Sequence, residues 1–186
     1  MNFNRYITEA EFSELAAFIR REGVVRRFAR GERLSGQGLR SHRCGLVVQG
    51  AFRYVHVDAA GEEHVVGYAF AGEFVGDYIS MCVDAPSQVT IGAMCGAEAL
   101  LVPGERLETF YRTDAACERL GRRLAEHMLA EVYERLLDRY AASPQQRYEA
   151  LTERCPDVLQ LVPLRELASY LGVRPETLSR IRRRVR

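Results

Sequence analysis

Lysine is absent from this chain of 186 residues, so all 26 basic residues are arginine. Coding bias alone can produce that, and the absence excludes little. Arginine does offer a planar fork that suits paired contacts to phosphate or guanine. Five cysteines, Cys44, Cys82, Cys95, Cys117 and Cys155, are odd in number and widely spaced. With no C-x-x-C pair among them, a zinc ribbon or a dithiol couple is excluded and reduced thiols in a cytoplasm are expected. No apolar run approaches the roughly 20 residues of a membrane span. The opening "MNFNRYITEAEFSELAAFIRREG" also has no apolar core between basic flanks and a small-residue cleavage site. A cytoplasmic protein with no membrane partner is expected. No P-loop, dinucleotide fingerprint, Ser-His-Asp or Cys-His nucleophile arrangement occurs, which argues against an enzyme and against a bound cofactor.

Hydrophobic residues make up 47% of the chain, enough for one sizeable core or a core plus a small appended unit. The charge is unevenly placed. Residues 174–186 carry six arginines against one glutamate, +5, while the rest carries −4, so the formal +1 hides a concentrated basic end. Such asymmetry points to a polyanionic partner.

Phe12, Leu15, Ala16 and Ile19 fall at helical spacing, with Thr8 as N-cap and Glu11 as its capping-box partner, so a first helix is expected to end at Gly23. From Val24 to about Val102 the pattern changes to short apolar runs separated by Gly-containing turns, with no helical pattern between them. That texture predicts an antiparallel barrel or jelly roll, with Gly31, Gly50, Gly61, Gly72 and Gly76 at its corners.

Asp114 to Ala142 then runs without proline. Leu120, Leu124, Met128, Val132 and Leu136 form one apolar ridge, and Ala125, Leu129, Tyr133 and Leu137 a second. A helix of about 28 residues would be ~42 Å long. Its apolar band is wide enough to pack on both the β unit and a second copy of itself, with Glu118–Arg122 and Glu131–Arg135 pairs lacing the exposed face. Ser143 and Pro144 are an N-cap and first helical residue that open a small helical unit. The division expected is 1–113, 114–142 and 143–186.

In "LRELASYLGVRPETLSRIRRRVR", Leu167, Ala168 and Leu171 have inward spacing, Gly172 suits a left-handed stop and Pro175 a new start. Leu178, Ile181 and Val185 recur on the inner side of the second helix, with Glu176, Arg180 and Arg183 opposite. Two short helices across a tight turn form a helix-turn-helix, whose second helix fits the major groove of double-stranded DNA. Arg180 suits guanine and Glu176 cytosine. Thr177 and Ser179 suit bases or phosphates, Arg182, Arg183, Arg184 and Arg186 are placed for phosphate, and Arg174 is a further DNA-binding candidate.

With these residues in view, the chain resembles the Crp/Fnr superfamily of bacterial transcription regulators, the superfamily of the cyclic AMP receptor protein. The resemblance rests on "LVVQGAFRYVHVDAAGEEHVVGYAFAGEFVGDY" and "ELASYLGVRPETLSRIRRR". The form "ASYLG-x-x-PETLSRIR" is especially similar to the branch common in Bacteroidetes. The resemblance implies an α+β fold: a cyclic-nucleotide-binding-like β-roll that takes a small-molecule effector, a long homodimer helix, and a helix-turn-helix unit on a hinge near Ala142 and Ser143. It implies a two-fold symmetric DNA site, RNA polymerase as a further partner, and a backbone contact from Arg165. The effector pocket maps to Gly76, Asp77, Tyr78, Ser87 and Gln88. Cyclic-nucleotide binders carry an Arg about ten residues after the Glu of a G-E-L segment to neutralise the cyclic phosphate. Here the matching residues are Asp77 and then Ser87 and Gln88. An unpaired buried phosphate is costly, so cyclic AMP is not expected to bind in the usual way. No β-wing follows the second helix in this sequence, and the terminal arginines are expected to take over its phosphate contacts.

The competing reading is a cupin-like metalloenzyme or a metal or haem sensor with a basic tail. It needs an H-x-H pair with a following Glu and a distant His. The nearest match, His56-Val-Asp58 with Glu62, Glu63 and His64, does not reproduce it, and His42 stands apart. A haem would need an axial ligand such as His56 or Cys82, and the scattered cysteines do not suit an iron–sulfur cluster. Cys82 and Cys95 are read as core.

Overall fold

The computed structural model describes residues 3–4, 10–40 and 42–185. Helix α1, Ser13–Glu22, buries Leu15, Ala16, Phe18 and Ile19 on one face. It begins later than the capping box implied. Phe12 stands at the N-cap with no side-chain cap, Thr8 lies outside the described residues, and Glu11 pairs instead with Arg123 on a distant helix. Eight strands follow or flank the turns: β1 (Val24–Phe28), β2 (Arg33–Ser35), β3 (Arg43–Gln49), β4 (Ala51–Val57), β5 (Glu63–Phe70), β6 (Phe74–Gly76), β7 (Thr90–Ala93) and β8 (Ala97–Pro103). They form two antiparallel four-stranded sheets, ordered β1-β8-β3-β6 and β2-β7-β4-β5. The five corner glycines all adopt positive φ. At Gly76, φ is +148° and an added Cβ would lie 2.7 Å from that of Cys44, so both conformation and space exclude a side chain.

Strand alternation explains why the sheets stack. Phe52 and Ile91, wholly buried, meet Val47, Val75 and Ala99 between them. The apolar run is interrupted by one helix the strand pattern did not predict, α2 (Tyr78–Cys82), a single turn capped by Asp77. It carries Cys82 outward, and Cys95 sits in the β7–β8 turn. Both are therefore exposed, and the buried cysteines are Cys44, Cys117 and Cys155.

After the sheets come α3 (Gly104–Tyr111) and the long helix α4 (Ala115–Ala141), capped by Asp114 through the amides of Ala116 and Cys117. Leu124 of α4 joins Leu15, Ile19 and Leu107 in a second apolar cluster against the first sheet. Beyond it one side of the helix lies open: Leu129, Val132, Tyr133, Leu136, Leu137 and Tyr140 are exposed. The expected lacing also differs. Arg122 pairs with Glu126, and Arg135 turns inward, donating to the Val66 carbonyl at 2.7 Å.

The chain then forms α5 (Pro144–Arg154), opened by the Ser143–Gln146 capping box, followed by α6 (Val158–Leu161), α7 (Leu164–Leu171) and α8 (Pro175–Val185). Their apolar residues form one cluster with the second sheet. Val65, Tyr68 and Phe70 of β5 pack with Tyr148, Leu151, Leu167, Leu178 and Ile181, and Phe3 is wedged among them. Val185, placed inward by its spacing, is exposed because α8 has nothing beneath its last turn.

Candidate nucleic-acid interface and effector cavity

Gly172 ends α7 at φ +66°, and Val173 N–H returns to the Ala168 carbonyl at 3.0 Å. This left-handed stop turns the chain sharply into α8. Leu167, Ala168 and Leu178 are wholly buried, so the two helices are fixed by their inner sides. What remains outward is polar. Arg165, Arg174, Glu176, Arg180, Arg183 and Arg184 are exposed, and Thr177, Ser179 and Arg182 are half-buried. Among the described residues no carboxylate forms a salt bridge with any of those arginines, and the Arg180 guanidinium lies 3.5 Å from the Thr177 hydroxyl. Six of the nine predicted residues are thus exposed around the turn and α8, five of them arginines without a carboxylate partner among the described residues. Arg186 lies outside the described residues.

The opposite side of α7 is docked on the β-roll. Arg53 of β4 meets Glu166 at 2.9 Å, and the Ser169 hydroxyl accepts the Val65 amide at 2.9 Å. The Arg135 guanidinium lies 4.6 Å from the Tyr170 ring centre, and Phe3 packs 5.2 Å from the same ring. Two polar atoms here, the Tyr68 hydroxyl and Glu166 Oε2, are buried without a partner. Burial, with Glu166 adding to it, raises the Tyr68 pKa.

The predicted effector residues separate into two groups. Asp77 accepts from the Ser80 amide at 3.3 Å, the Ser80 hydroxyl at 2.6 Å and the Ser87 hydroxyl at 2.5 Å. Ser87, at the position where the resemblance expects an arginine, is thus closed onto Asp77. The Gln88 carbonyl faces His56 Nδ1 at 2.8 Å. Asp77, Ser87 and Gln88 do not line the cavity, whereas Gly76 and Tyr78 do. The Gly76 amide already donates to the Tyr54 hydroxyl at 3.1 Å. Burial raises the Tyr54 pKa and pushes the Cys44 thiol up to about 12.

The cavity measures about 200 Å³ and lies between the sheet and α4. Its walls include Leu124, Met128, Val132 and Arg135 of α4, Val66 and Gly67 of β5, and Asn4. The resemblance pointed to none of these. The broad apolar band of α4 was the available signal, but which β strand it would cover depends on contacts about 60 residues away in sequence.

Among the described residues, no three His, Cys, Asp or Glu groups converge as metal ligands. His64 is bound to Asp58 at 2.7 Å, and His56 to Gln88, so the metalloenzyme and metal-sensor reading finds no geometry to support it. Among the same residues no helix is long and apolar enough to cross a membrane.

Residues 25–114 match the family model described as the cyclic nucleotide-binding domain. No curated protein matches the sequence. Several solved structures are similar across most of the chain. FixK2 from Bradyrhizobium japonicum is 18% identical, with a TM-score of 0.75 over 88% of this chain and 84% of that one. The c-di-GMP responsive global regulator CLP of Xanthomonas campestris is 17% identical, with a TM-score of 0.62 over 95% and 90%. The catabolite activator protein of Thermus thermophilus is 18% identical, with a TM-score of 0.58 over 100% and 86%. Residues 25–114 are thus similar to the cyclic nucleotide-binding domain, and the chain as a whole has the fold of these solved regulators.

Proposed function

We propose that this protein is a cytoplasmic, homodimeric transcription regulator of the Crp/Fnr type that binds a two-fold symmetric DNA site under control of a small molecule in its β-roll. In this reading residues 1–113 sense, 114–142 form the dimer helix and 143–186 bind DNA. The observation that carries it is the helix-turn-helix with an outward face of unpaired arginines around α8. Glu176 and Arg180, near the start of that helix, read base edges. Thr177 and Ser179 touch bases or phosphates, and Arg165, Arg174, Arg182, Arg183 and Arg184 hold phosphates. The exposed apolar stripe of α4 supports a second copy as its cover. Two recognition helices must stand about one DNA turn, ~34 Å, apart, so the effector acts by changing their placement. RNA polymerase is proposed as a further partner.

Selection of bound sequences from a random duplex pool tests the reading. Arg180→Ala is expected to relax preference at one position, costing about 1–3 kcal/mol there. Arg184→Ala is expected to weaken all sequences alike and reduce the salt slope by about 1. Identical effects from both would reject the assignment of roles.

Cyclic AMP is not the effector in this reading. Ser87 replaces the cation, its hydroxyl is held by Asp77, and the Gly76 amide is held by Tyr54. Calorimetry is expected to give no saturable binding at micromolar cyclic AMP, and tight binding would overturn the exclusion.

A further inference from the structure

The cavity beneath α4 has the chemistry of a solvent for apolar molecules. At about 200 Å³ it exceeds the ~150 Å³ of an engineered apolar cavity known to take benzene, so one substituted ring or a short branched chain fits. Leu124, Met128, Val132 and Val66 supply apolar walls. Of its charged residues, Glu131 and Arg135 are opposite in sign, and Arg135 is engaged with the Val66 carbonyl and the Tyr170 ring. At the far end the Gly76 amide is already occupied by the Tyr54 hydroxyl. A charged ligand would therefore lose its hydration among apolar walls where Glu131 repels an anion and Arg135 a cation.

We infer that this cavity binds an uncharged, largely apolar small molecule of about one ring in size, and that a nucleotide is excluded from it. This rests on the reading of the cavity as the effector site and names the class of effector. The ligand lies against the face of α4 that carries Arg135. Through Arg135 it bears on Val66 of the sheet and Tyr170 of α7, the helix that precedes the DNA-reading one. Filling the cavity and moving the helix-turn-helix are thus connected by one guanidinium.

The probe is benzyl alcohol, with benzoate as its charged counterpart of similar size and cyclic AMP as the nucleotide. Binding to the full chain without DNA is followed by calorimetry and by the methyl resonance of Met128, one of only four methionines. Benzyl alcohol is expected to bind with a Kd of roughly 0.1–1 mM, as befits so small a ligand, and to shift the Met128 signal. Benzoate should bind at least about tenfold more weakly, and cyclic AMP not at all.

Met128→Phe, which fills the space, should abolish binding. Met128→Ala, which enlarges it, should favour 1-naphthalenemethanol over benzyl alcohol relative to the unsubstituted protein, and it keeps the test decisive if the larger side chain prevents folding. No binding of benzyl alcohol, an unmoved Met128 signal, or benzoate binding as tightly as the alcohol would overturn the inference. Because no DNA is present, such a failure leaves the regulator reading intact. Loss of DNA binding in a protein that still takes benzyl alcohol would reject the regulator reading alone.

Discussion

Glu73 is buried at 4% exposure, and its carboxylate accepts four hydrogen bonds: from the amides of Phe3, Asn4 and Phe70 and from the Asn4 side chain. Burial raises its pKa, and Glu131 adds to that, while the three amides oppose it. The folded form therefore holds its proton more tightly than the unfolded chain. Stability from this group is complete below the usual glutamate pKa and is lost as pH rises through the raised one. Relative to Glu73→Gln, which does not titrate, the natural protein should gain in melting temperature at about pH 5 compared with about pH 8. A difference in Tm that does not change with pH would count against it. Other residues were misplaced by sequence alone for a plain reason. Cys82 and Cys95 sit in apolar company along the chain, yet a one-turn helix and a hairpin turn face them to solvent. Ser87 stands where the resemblance expects an arginine, and its short hydroxyl bonds within the loop to Asp77.

Helix α4 buries apolar residues in its first half and leaves an apolar stripe exposed along its second. Six large apolar side chains between Leu129 and Tyr140 are exposed. As a dimer helix it should be sensitive to a single charge. Leu136→Glu, a residue clear of the cavity lining, should give a monomer in sedimentation. Affinity for a symmetric site should fall on the order of 100-fold, because the two half-sites are no longer bound by one particle. A variant that remains dimeric would exclude this face as the contact. The helix was legible in the sequence because it is long, capped by Asp114 and free of proline. The strands were legible because alternation and corner glycines coincide. What the sequence could not place was where Arg135 goes. An i, i+4 partner on its own helix was the local choice, and a carbonyl on β5 with a ring on α7 was the tertiary one.

The molecule as a whole has its two ends sewn to its middle. Phe3, from the start of the chain, lies between Tyr68 and Phe70 of the β-roll and Tyr170 of α7, with Arg154 over its ring. Fully burying such a ring stabilises by roughly 1.5–3 kcal/mol. The helix-turn-helix pattern was visible locally, since its turn glycine and inward leucines lie within about 20 residues. Its attachment to the sheet was not, because Val65 and Ser169 meet across 104 positions. The apolar cluster of α5–α8 is completed by β5 rather than closed within itself. A segment as short as 143–186 is close to the size below which a chain rarely folds without outside support. Expressed alone, that fragment should show little helical circular dichroism in dilute buffer, and a cooperative thermal transition in it would contradict this.

The shared cluster has a consequence for how such a chain can be rebuilt. Helices α5–α8 grafted onto a foreign sheet would arrive with part of their interior missing, and this sheet given foreign helices would display Val65 and Phe70 to water. Sheet and helices must therefore change together, as matched surfaces rather than exchangeable cassettes, in design and in descent alike.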